Sequence, residues 1–265
     1  MEYIGIDIGS TFSKMTVMGE NAHMLMQCVQ PTGWSSVHAA QAIRKKLLES
    51  GIDLSRACCV ATGYGREAVS YADKTVTEIT CHAKGACEIF ARRDMTVIDI
   101  GGQDTKIVSI EGGMVKDFIM NDKCSAGTGR FLEVMAGTLA ASISDMCELA
   151  AKGGFASISS MCTVFAESEV ISLIGKGEKR ENIAFAVVDS IVKKVASQAR
   201  RISAGKIVGL TGGLCDNVYI RNALSRELQR EVISDEKGRY AGSIGAALCA
   251  MKECRKSGGF VLADE

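Results

Sequence analysis

The sequence predicts an α/β protein made of two duplicated domains, because one short pattern occurs twice among mixed strands and helices. Residues 6–14 read IDIGSTFSK and residues 98–106 read IDIGGQDTK. In both copies an Asp ends an apolar run, a Gly follows two positions later and a Lys seven positions later. Each copy therefore reads as strand, glycine turn and strand. The copies begin 92 residues apart, which is too long for a solenoid and fits two domains that present a turn to one ligand.

The rest of the chain alternates between short apolar segments and segments with a helical period, which favours the α/β class. A helix is predicted over 37–49, and a strand over 57–62 runs into the glycine turn 63–65. The remaining predictions, in order, are a helix over 81–90, strands over 95–100 and 114–120, helices over 128–140, 143–151, 165–174 and 182–204, a strand over 206–211, and helices over 218–228 and 243–254.

These elements are assigned to a first domain over 1–95 and a second domain over 96–242. The last helix, taken to about 243–256, follows the second domain but is predicted to pack back on the first. With one Pro and 28 Gly in the chain, glycine turns rather than a proline-rich linker are expected to join the elements.

Composition excludes several classes of protein. Lys plus Arg and Asp plus Glu both number 31, so the net charge is zero and argues against a general nucleic-acid binder. No apolar run approaches the ~20 residues of a spanning helix, and the first residues, MEYIGID, do not read as a signal peptide. We therefore expect a cytoplasmic protein with neither nucleic acid nor membrane as a partner. Eleven cysteines then indicate reduced thiols rather than a disulfide scaffold.

The repeated turns carry groups that could bind a polyphosphate. Glycine-rich turns present backbone N–H groups to an anion, and Ser10, Thr11 and Ser13 add hydroxyl donors in the first copy. A third glycine-rich segment, VGLTGG over 208–213, reads as a strand that ends in Thr-Gly-Gly, where glycine lets the backbone approach a ligand closely. The chain contains neither GxxxxGK[ST] nor GxGxxG, which argues against a P-loop and a dinucleotide-binding fold.

Two aspartates and two lysines complete the repeated pattern. Asp7 and Asp99 stand at strand ends, where paired carboxylates can hold a hydrated Mg²⁺ or orient an attacking water. Lys14 and Lys106 supply compensating charge. Either copy alone is compatible with an ordinary hairpin, but the same Asp-to-Lys spacing in both copies favours a ligand site.

The order of these features resembles the superfamily of actin, hexokinase and heat-shock-chaperone ATPases. The resemblance implies a duplicated actin-like ATPase fold, with two mixed-sheet domains around a nucleotide cleft that closes on ATP and Mg²⁺. Asp7, Asp99 and Gln103 would hold Mg²⁺ or orient the γ-phosphate and the attacking water. Nucleotide-binding roles are implied for Gly9, Ser10, Thr11, Phe12, Ser13, Lys14, Gly101, Gly102, Asp104, Gly127, Thr128, Gly129, Glu167, Thr211, Gly212 and Gly213.

Seven segments spread over nearly the whole chain carry a closer resemblance. They are DIGSTFSK, VATGYGRE, ITCHAKGA, VIDIGGQDTK, MNDKCSAGTGRFLEVMA, CTVFAESEVISL and TGGLCDNVYIRNAL. Together they resemble the ATP-dependent activators of 2-hydroxyacyl-CoA dehydratases and the related ATPase subunits of benzoyl-CoA reductases. The resemblance implies a homodimer with one [4Fe–4S] cluster at the dimer interface. ATP hydrolysis would drive an electron from ferredoxin or flavodoxin, through the cluster, to a dehydratase or related reductase.

Within that resemblance the cluster ligands are Cys124 and Cys162. A [4Fe–4S] cluster normally takes four Cys ligands, so two per chain require a twofold axis through the cluster. Each cysteine precedes a predicted helix, whose N-terminus stabilises a thiolate. The residues alone indicate only core or helix-start thiols, since the two lie 38 residues apart. Met161 stands where the family is expected to have a small hydroxyl residue, and a thioether cannot donate a hydrogen bond to cluster sulfur.

Two other functions are compatible with the sequence. One is a small-molecule phosphotransferase on the same fold, although 265 residues leave little room for an acceptor pocket. The other is an ATP-dependent scaffold or sensor in which the cysteines are inert. The sequence names neither the CoA ester of the partner nor the choice between a dehydratase and a benzoyl-CoA-type reductase.

Overall fold

The computed structural model describes residues 1–159, 162–202 and 207–257, so Met161 lies outside the described residues. The chain divides into two compact units. Unit 1 comprises Met1–Arg92 together with the chain from Tyr240 onward, and unit 2 comprises Arg93–Arg239. In the described part of the chain, no helix is long and apolar enough to cross a lipid bilayer.

The strands and helices alternate along both units. The strands are β1 (Tyr3–Ile8), β2 (Phe12–Met18), β3 (Met24–Pro31), β4 (Cys58–Thr62), β5 (Lys74–Thr75), β6 (Met95–Ile100), β7 (Thr105–Glu111), β8 (Met114–Asn121), β9 (Ile207–Gly212) and β10 (Glu231–Ser234). The helices are α1 (Ser36–Glu49), α2 (Glu78–Phe90), α3 (Gly129–Thr138), α4 (Ile143–Ala150), α5 (Thr163–Gly175), α6 (Arg180–Ala199), α7 (Val218–Leu228) and α8 (Ala241–Ser257).

Each unit contains a five-stranded mixed sheet, and the two sheets repeat one topology. Unit 1 has the strand order β3-β2-β1-β4-β5, and unit 2 has the order β8-β7-β6-β9-β10. In both units the first three strands are antiparallel neighbours, and the other two run parallel to the first. The predicted α/β class and duplication are confirmed by this topology.

The repeated sequence pattern forms the same hairpin in both units. Asp7 pairs with Lys14 across β1 and β2, and Asp99 pairs with Lys106 across β6 and β7. Directly opposed residues of an antiparallel pair point to the same face of the sheet, so each Asp lies beside its Lys. The predicted hairpins are therefore confirmed, and their fixed Asp-to-Lys spacing is the spacing of a cross-strand pair.

The next parallel strand extends the repeat beyond the hairpins. Thr62 on β4 lies beside the aspartate of β1, as Thr211 on β9 lies beside the aspartate of β6. The following residues, Gly63 and Gly212, have positive φ angles of 92° and 88°. A Cβ at either glycine would collide with a backbone oxygen of the neighbouring hairpin strand, so only glycine fits.

Helix α8 returns to unit 1 and covers the face of β1 that carries its aspartate. The isoleucines of β1 belong to the core cluster on the α1 side of the sheet. The alternating positions Gly5 and Asp7 point to the other face. A Cβ at Gly5 would overlap the backbone of Ser243 and Ala247, so α8 rests directly on the strand. Helix α2 lies on the same side of the sheet, where Cys81 shares a core cluster with Tyr3 of β1 and with α8. It also packs extensively against α8.

The helix predictions are confirmed in position, with ends that differ by a few residues. The largest difference is at 182–204, where α6 is observed over Arg180–Ala199 and residues 203–204 lie outside the described residues. Strands β3, β5 and β10 were not predicted. β3 (MLMQCVQP) is an edge strand with polar residues on a half-exposed surface, and it lacks the continuous apolar run that marks β1. β5 has two residues and β10 four, too short for any period.

Close packing of α2 against α8 depends on glycine and predicts a large stability effect. A Cβ at Gly245 would overlap the carbonyl of Cys81. We expect Gly245→Ala to lower the free energy of unfolding by about 3 kcal/mol or more, because two helix backbones would have to separate. The matched control is Gly137→Ala in α3, where a Cβ meets nothing within 4 Å. There we expect a gain of up to about 1 kcal/mol from helix propensity. Urea denaturation measures both, and equal effects would contradict the packing argument.

Candidate functional site

The turn between β1 and β2 is held in shape by Thr32, a residue outside the repeat. Its N–H donates to Thr11 O over 2.9 Å, and its hydroxyl donates to Gly9 O over 2.7 Å. Thr32 Oγ1 also lies 2.8 Å from Ser13 Oγ, so the buried Ser13 hydroxyl fixes the turn from behind. Ser10 and Thr11 remain half-buried at the turn, where their N–H and hydroxyl groups can meet an anion.

The carboxylate of Asp7 is buried beside this turn and is ion-paired. Lys14 Nζ lies 3.5 Å from Asp7 Oδ2. A Cβ at Gly242, the second residue of α8, would lie 2.7 Å from Asp7 Oδ2 and 2.8 Å from His82 Nε2. The aspartate and the histidine therefore fill the space next to this glycine. Phe12, at the start of β2, keeps its ring exposed.

The turn between β6 and β7 repeats this arrangement with different side chains. Gly101 N–H donates to Asp104 O over 2.9 Å and closes the turn. Lys106 Nζ forms an ion pair with Asp104 and lies 3.6 Å from Asp99 Oδ2. Gln103 is exposed at the tip of the turn. A buried carboxylate with a lysine beside it is thus common to both units, and the lysine is half-buried in unit 1 and buried in unit 2.

The start of α3 is attached to the second turn. Gly129 N–H donates to Gly101 O over 2.9 Å, and Arg130 N–H donates to Gly102 O over 2.7 Å. A Cβ at Gly129 would lie 3.0 Å from Gly101 O, so the close contact favours glycine. The structure therefore brings Gly127-Thr128-Gly129 onto the turn that contains Gly101. Gly127 follows Gly101 by 26 residues in the chain.

The glycine segment after β9 contacts the aspartate of unit 2. Thr211 Oγ1 donates to Asp99 Oδ1 over 2.8 Å, and Gly213 N–H donates to Ile100 O over 3.1 Å. The positive φ of Gly212 allows this reversal. Asp99 is thus oriented by a hydroxyl on one oxygen and by Lys106 near the other. The predicted turn, α3 start and glycine segment of unit 2 are all brought together around this carboxylate.

Glu167 lies on α5, away from the termini of that helix. Thr138 Oγ1 of α3 donates to Glu167 Oε1 over 3.3 Å. This hydrogen bond joins α3 to α5, which is a structural role. A role for Glu167 in nucleotide binding stays a prediction.

Cys124 and Cys162 differ from the other cysteines in their exposure. All eleven cysteines of the chain lie in described residues, and each is a free thiol. Nine are buried or half-buried, and Cys124 and Cys162 are exposed. Burial of an apolar thiol is the usual outcome, so an exposed pair requires a chemical explanation.

The fold brings together the segments that carry these two cysteines, although 38 residues separate them. Ser125 Oγ and Thr163 Oγ1, the hydroxyls of the residues that follow each cysteine, are 2.7 Å apart. Asn121 Nδ2 donates to Cys124 O over 2.8 Å and fixes the loop after β8. Across the described ranges, no group of three or more His, Cys, Asp or Glu residues could hold a metal ion.

Both cysteines precede a helix, as predicted, but at different distances from its start. Cys162 is the N-cap residue of α5. Cys124 lies in the loop before α3, four residues ahead of the N-cap Thr128. The intervening residues form a turn, in which the N–H of Thr128 donates to Ser125 O over 3.0 Å.

The surface next to Cys162 is apolar. Of α5, only Ala166 and Val170 are buried. Four large apolar side chains of the helix are exposed among its serines and glutamates, with 46% to 67% of their surface accessible: Val164, Phe165, Ile171 and Ile174. A helix that is apolar around most of its circumference is normally covered.

The repeated sheet topology, the two Asp–Lys hairpins and the glycine segments define an actin-like fold, which distant solved structures share. The chain belongs to the BadF/BadG/BcrA/BcrD ATPase family, whose model matches residues 4–250.

Similar proteins in this family include activators of dehydratases. The (R)-2-hydroxyglutaryl-CoA dehydratase activating ATPase of Acidaminococcus fermentans is 41% identical over 96% of this chain and 98% of its own length. The activator of lactoyl-CoA dehydratase of Anaerotignum propionicum is 41% identical over 97% of this chain and its full length. The solved structure of the activator of 2-hydroxyisocaproyl-CoA dehydratase from Clostridium difficile with bound ADPNP is 36% identical, covers all of both chains and has a TM-score of 0.91. These matches confirm the family resemblance seen in the sequence.

Sequence reasoning missed three residues that shape the site. Thr32 holds the first turn, Gly63 repeats the glycine of β9, and Gly242 makes room for Asp7. For Gly63 the sequence does contain a signal. Residues 60–63 (VATG) and 209–212 (GLTG) both end an apolar segment with Thr-Gly. Gly242 belongs to the GSIG segment 242–245, whose place before the last helix is part of the superfamily resemblance, but its contact with Asp7 has no local signal. Thr32 carries no signal, since it acts on a turn that is distant in the chain.

Proposed function

We propose that this protein couples ATP hydrolysis to low-potential electron transfer onto a 2-hydroxyacyl-CoA dehydratase. The observation that carries the proposal is that Cys124 and Cys162 are exposed and that the residues after them are in contact, on a chain of an ATPase family. The names of relatives as activators of dehydratases for different 2-hydroxyacyl-CoA esters support such a partner. A benzoyl-CoA-type reductase is the alternative partner, and ferredoxin or flavodoxin is the proposed electron donor.

The cysteine pair fits half of a [4Fe–4S] site. Both thiols are free and exposed, and their neighbours are in hydrogen-bond contact. A cluster normally takes four thiolates, so we infer that two copies of the chain contribute two each. When bound, the cluster supplies a one-electron carrier whose potential depends on its ligands and on its exposure to water. Cys162 is the N-cap residue of α5, and the N-terminus of a helix suits an anionic group such as the proposed cluster.

The proposed homodimer buries the apolar surface of α5, and this is testable. We expect Val164→Asp to raise the dimer dissociation constant at least about tenfold, because a charge would be desolvated in the interface. An Asp in the first turn suits the helix dipole, so the chain should still fold. Val218→Asp is the matched control, since Val218 is also exposed in the first turn of a helix, α7. Sedimentation velocity measures the dissociation constant, and equal behaviour of both variants would contradict this interface.

ATP is assigned to the loops that flank the two buried aspartates. In this proposal residues 9–14 and 101–104 bind the phosphates through backbone N–H groups and short side chains. Residues 127–129 contact the phosphates or ribose, and residues 211–213 with Glu167 contact the adenosine. The attachment of 127–129 and 211–213 to the turn and aspartate of unit 2 supports this assignment for that unit.

Catalysis is assigned to the two carboxylates and to one amide. Asp7 and Asp99 orient a hydrated Mg²⁺ or the attacking water, and their burial next to Lys14 and Lys106 fixes their direction. Gln103 is exposed at the tip of the second turn, where its amide can orient the attacking water or the γ-phosphate.

Purification without oxygen, followed by iron and sulfide analysis, tests the function. We expect about four irons per dimer and ATP-dependent reduction of a 2-hydroxyacyl-CoA dehydratase with ferredoxin as the donor. A benzoyl-CoA-type reductase, offered in parallel as the acceptor, distinguishes the two partners. A colourless, iron-free protein that still hydrolyses ATP would overturn the proposal and point to a phosphotransferase. ATP binding without hydrolysis or iron would point to a scaffold.

The proposal places the protein in the cytoplasm, whose reducing conditions suit eleven cysteines that form no disulfide.

A further inference from the structure

A second group of cysteines lies between α2 and α8, apart from the exposed pair. Cys81 of α2 and Cys249 of α8 are buried, and the thiol of Cys81 hydrogen-bonds to the sulfur of Cys249. Lys84, one turn further along α2, donates from Nζ to Cys249 Sγ over 3.1 Å. Two sulfurs and one ammonium group therefore form a compact cluster inside unit 1.

The backbones of the two helices approach closely at this cluster. Cβ atoms at Gly85 and Gly245 would overlap the backbones of Ala241 and Cys81, respectively. Cys249 lies one helical turn after Gly245 on the same face of α8. A disulfide requires a short Cα separation, and closely packed helix backbones favour one between facing side chains.

The charges around the cluster favour one thiolate and one thiol. The hydrogen bond from Cys81 and the cation of Lys84 lower the pKa of Cys249 to about 6, against the opposing effects of burial and of Glu253 on α8. The pKa of Cys81 is raised by its bond to Cys249, by burial and by the charge of Asp7 on β1. A thiolate next to a thiol is the reactive state of a dithiol.

We propose that Cys81 and Cys249 are a peroxide-sensitive dithiol that closes to a disulfide between α2 and α8. This modification site is independent of the proposed iron–sulfur and nucleotide functions. The reagent class is a small peroxide, because both cysteines are buried and leave little room for a larger electrophile.

The reaction balances in two steps. The thiolate of Cys249 attacks one oxygen of hydrogen peroxide, the O–O bond breaks, and the departing hydroxide takes a proton to become water. The sulfur, oxidised by two electrons, is then a sulfenic acid. The sulfur of Cys81 attacks it, the S–O bond breaks, and the proton from Cys81 leaves with hydroxide as a second water. Two thiols and one peroxide thus give one disulfide and two waters.

A second thiol pair on α8 provides an internal comparison. Cys58 of β4 lies in hydrogen-bond contact with Cys254 of α8, and its pKa is raised to about 11 by burial and by the neighbouring sulfur. The Cys58 thiol donates to Ala250 O over 3.3 Å. This pair also has two close sulfurs, but no lysine acts on Cys58 to lower its pKa. At neutral pH Cys58 therefore stays a thiol and reacts slowly.

The test uses the full-length protein and dilute hydrogen peroxide at pH 7, followed by alkylation, trypsin digestion and mass spectrometry. We expect a disulfide between peptide 75–84 and peptide 240–252 to form at least tenfold faster than one between Cys58 and Cys254. Equal rates for the two pairs, or no linked peptide containing Cys81 and Cys249, would overturn the proposal.

Variants separate reactivity from simple proximity. Lys84→Gln should slow the linkage at least tenfold at pH 7 and move the pH at which the rate is half-maximal upward from about 6. Lys84→Arg keeps the cation and should restore most of the rate. Cys81→Ala should leave a sulfenic acid at Cys249 that dimedone traps. Unchanged rates in Lys84→Gln, with an unchanged circular dichroism spectrum, would contradict the assigned role of Lys84.

Discussion

Replacing either Cys124 or Cys162 by Ala is expected to remove essentially all iron from the anaerobically purified protein and to leave ATP hydrolysis within about twofold of the unchanged chain. Each substitution takes away two of the four thiolates of a shared cluster, because a homodimer carries it twice. Two remaining thiolates do not complete the ligand set. Electron transfer to the dehydratase should therefore fall below detection.

Retention of ATP hydrolysis in these variants follows from where the cysteines lie. Both are exposed, so truncation to Ala leaves no buried cavity and costs little stability. Cys28→Ala, which removes a half-buried cysteine of unit 1, is the control and should keep its iron. Iron that survives in both cysteine variants would rule out this pair as the ligands. Loss of iron in the control as well would indicate a general effect of thiol removal.

Asp99→Asn is expected to lower the rate of ATP hydrolysis about 100-fold or more, with a smaller change in KM for ATP. The amide keeps the shape of the carboxylate and can still accept a hydrogen bond from Thr211, so the site should stay folded. Lys106 keeps its ion pair with Asp104. What disappears is the negative charge that orients Mg²⁺ or the attacking water. Asp7→Asn should act in the same direction.

An exposed aspartate of the same unit provides the control for this prediction. Asp117→Asn on β8 removes the same charge from a surface strand and should leave the rate within about twofold. Phosphate release at saturating ATP measures the rate, and iron analysis should show an unchanged cluster in all three variants. An Asp99→Asn protein that retains a tenth of the rate or more would remove Asp99 from the catalytic assignment.

Much of the fold could be predicted because its signals are local. A strand, a glycine turn and a second strand are encoded within nine consecutive residues, so both hairpins and their Asp–Lys pairs follow from the repeat. Helix periods are equally local, which is why the helices were predicted with small errors at their ends. Edge strand β3 and the short strands β5 and β10 were missed because their partners, not their own residues, make them strands.

The site could be predicted only where its residues are close in sequence. The turns at 9–14 and 101–104 were found from their glycines. The hydrogen bond of Thr211 to Asp99 joins residues 112 positions apart, and the contact between Ser125 and Thr163 joins residues 38 positions apart. Composition and periodicity contain no information about such pairs, and the family resemblance supplied the cysteines.

The sequence by itself determined the α/β class, the duplication, the two hairpins and, through resemblance, the family. Only the tertiary structure decided that Cys124 and Cys162 are exposed on segments in contact with each other, that Thr62 and Gly63 have the same positions on β4 as Thr211 and Gly212 on β9, and that Cys81 contacts Cys249. The physical reason is that dihedral preferences and apolar periods act over a few residues. Contacts between distant segments depend on strand register and on how closely helices pack, which are set when the whole chain folds.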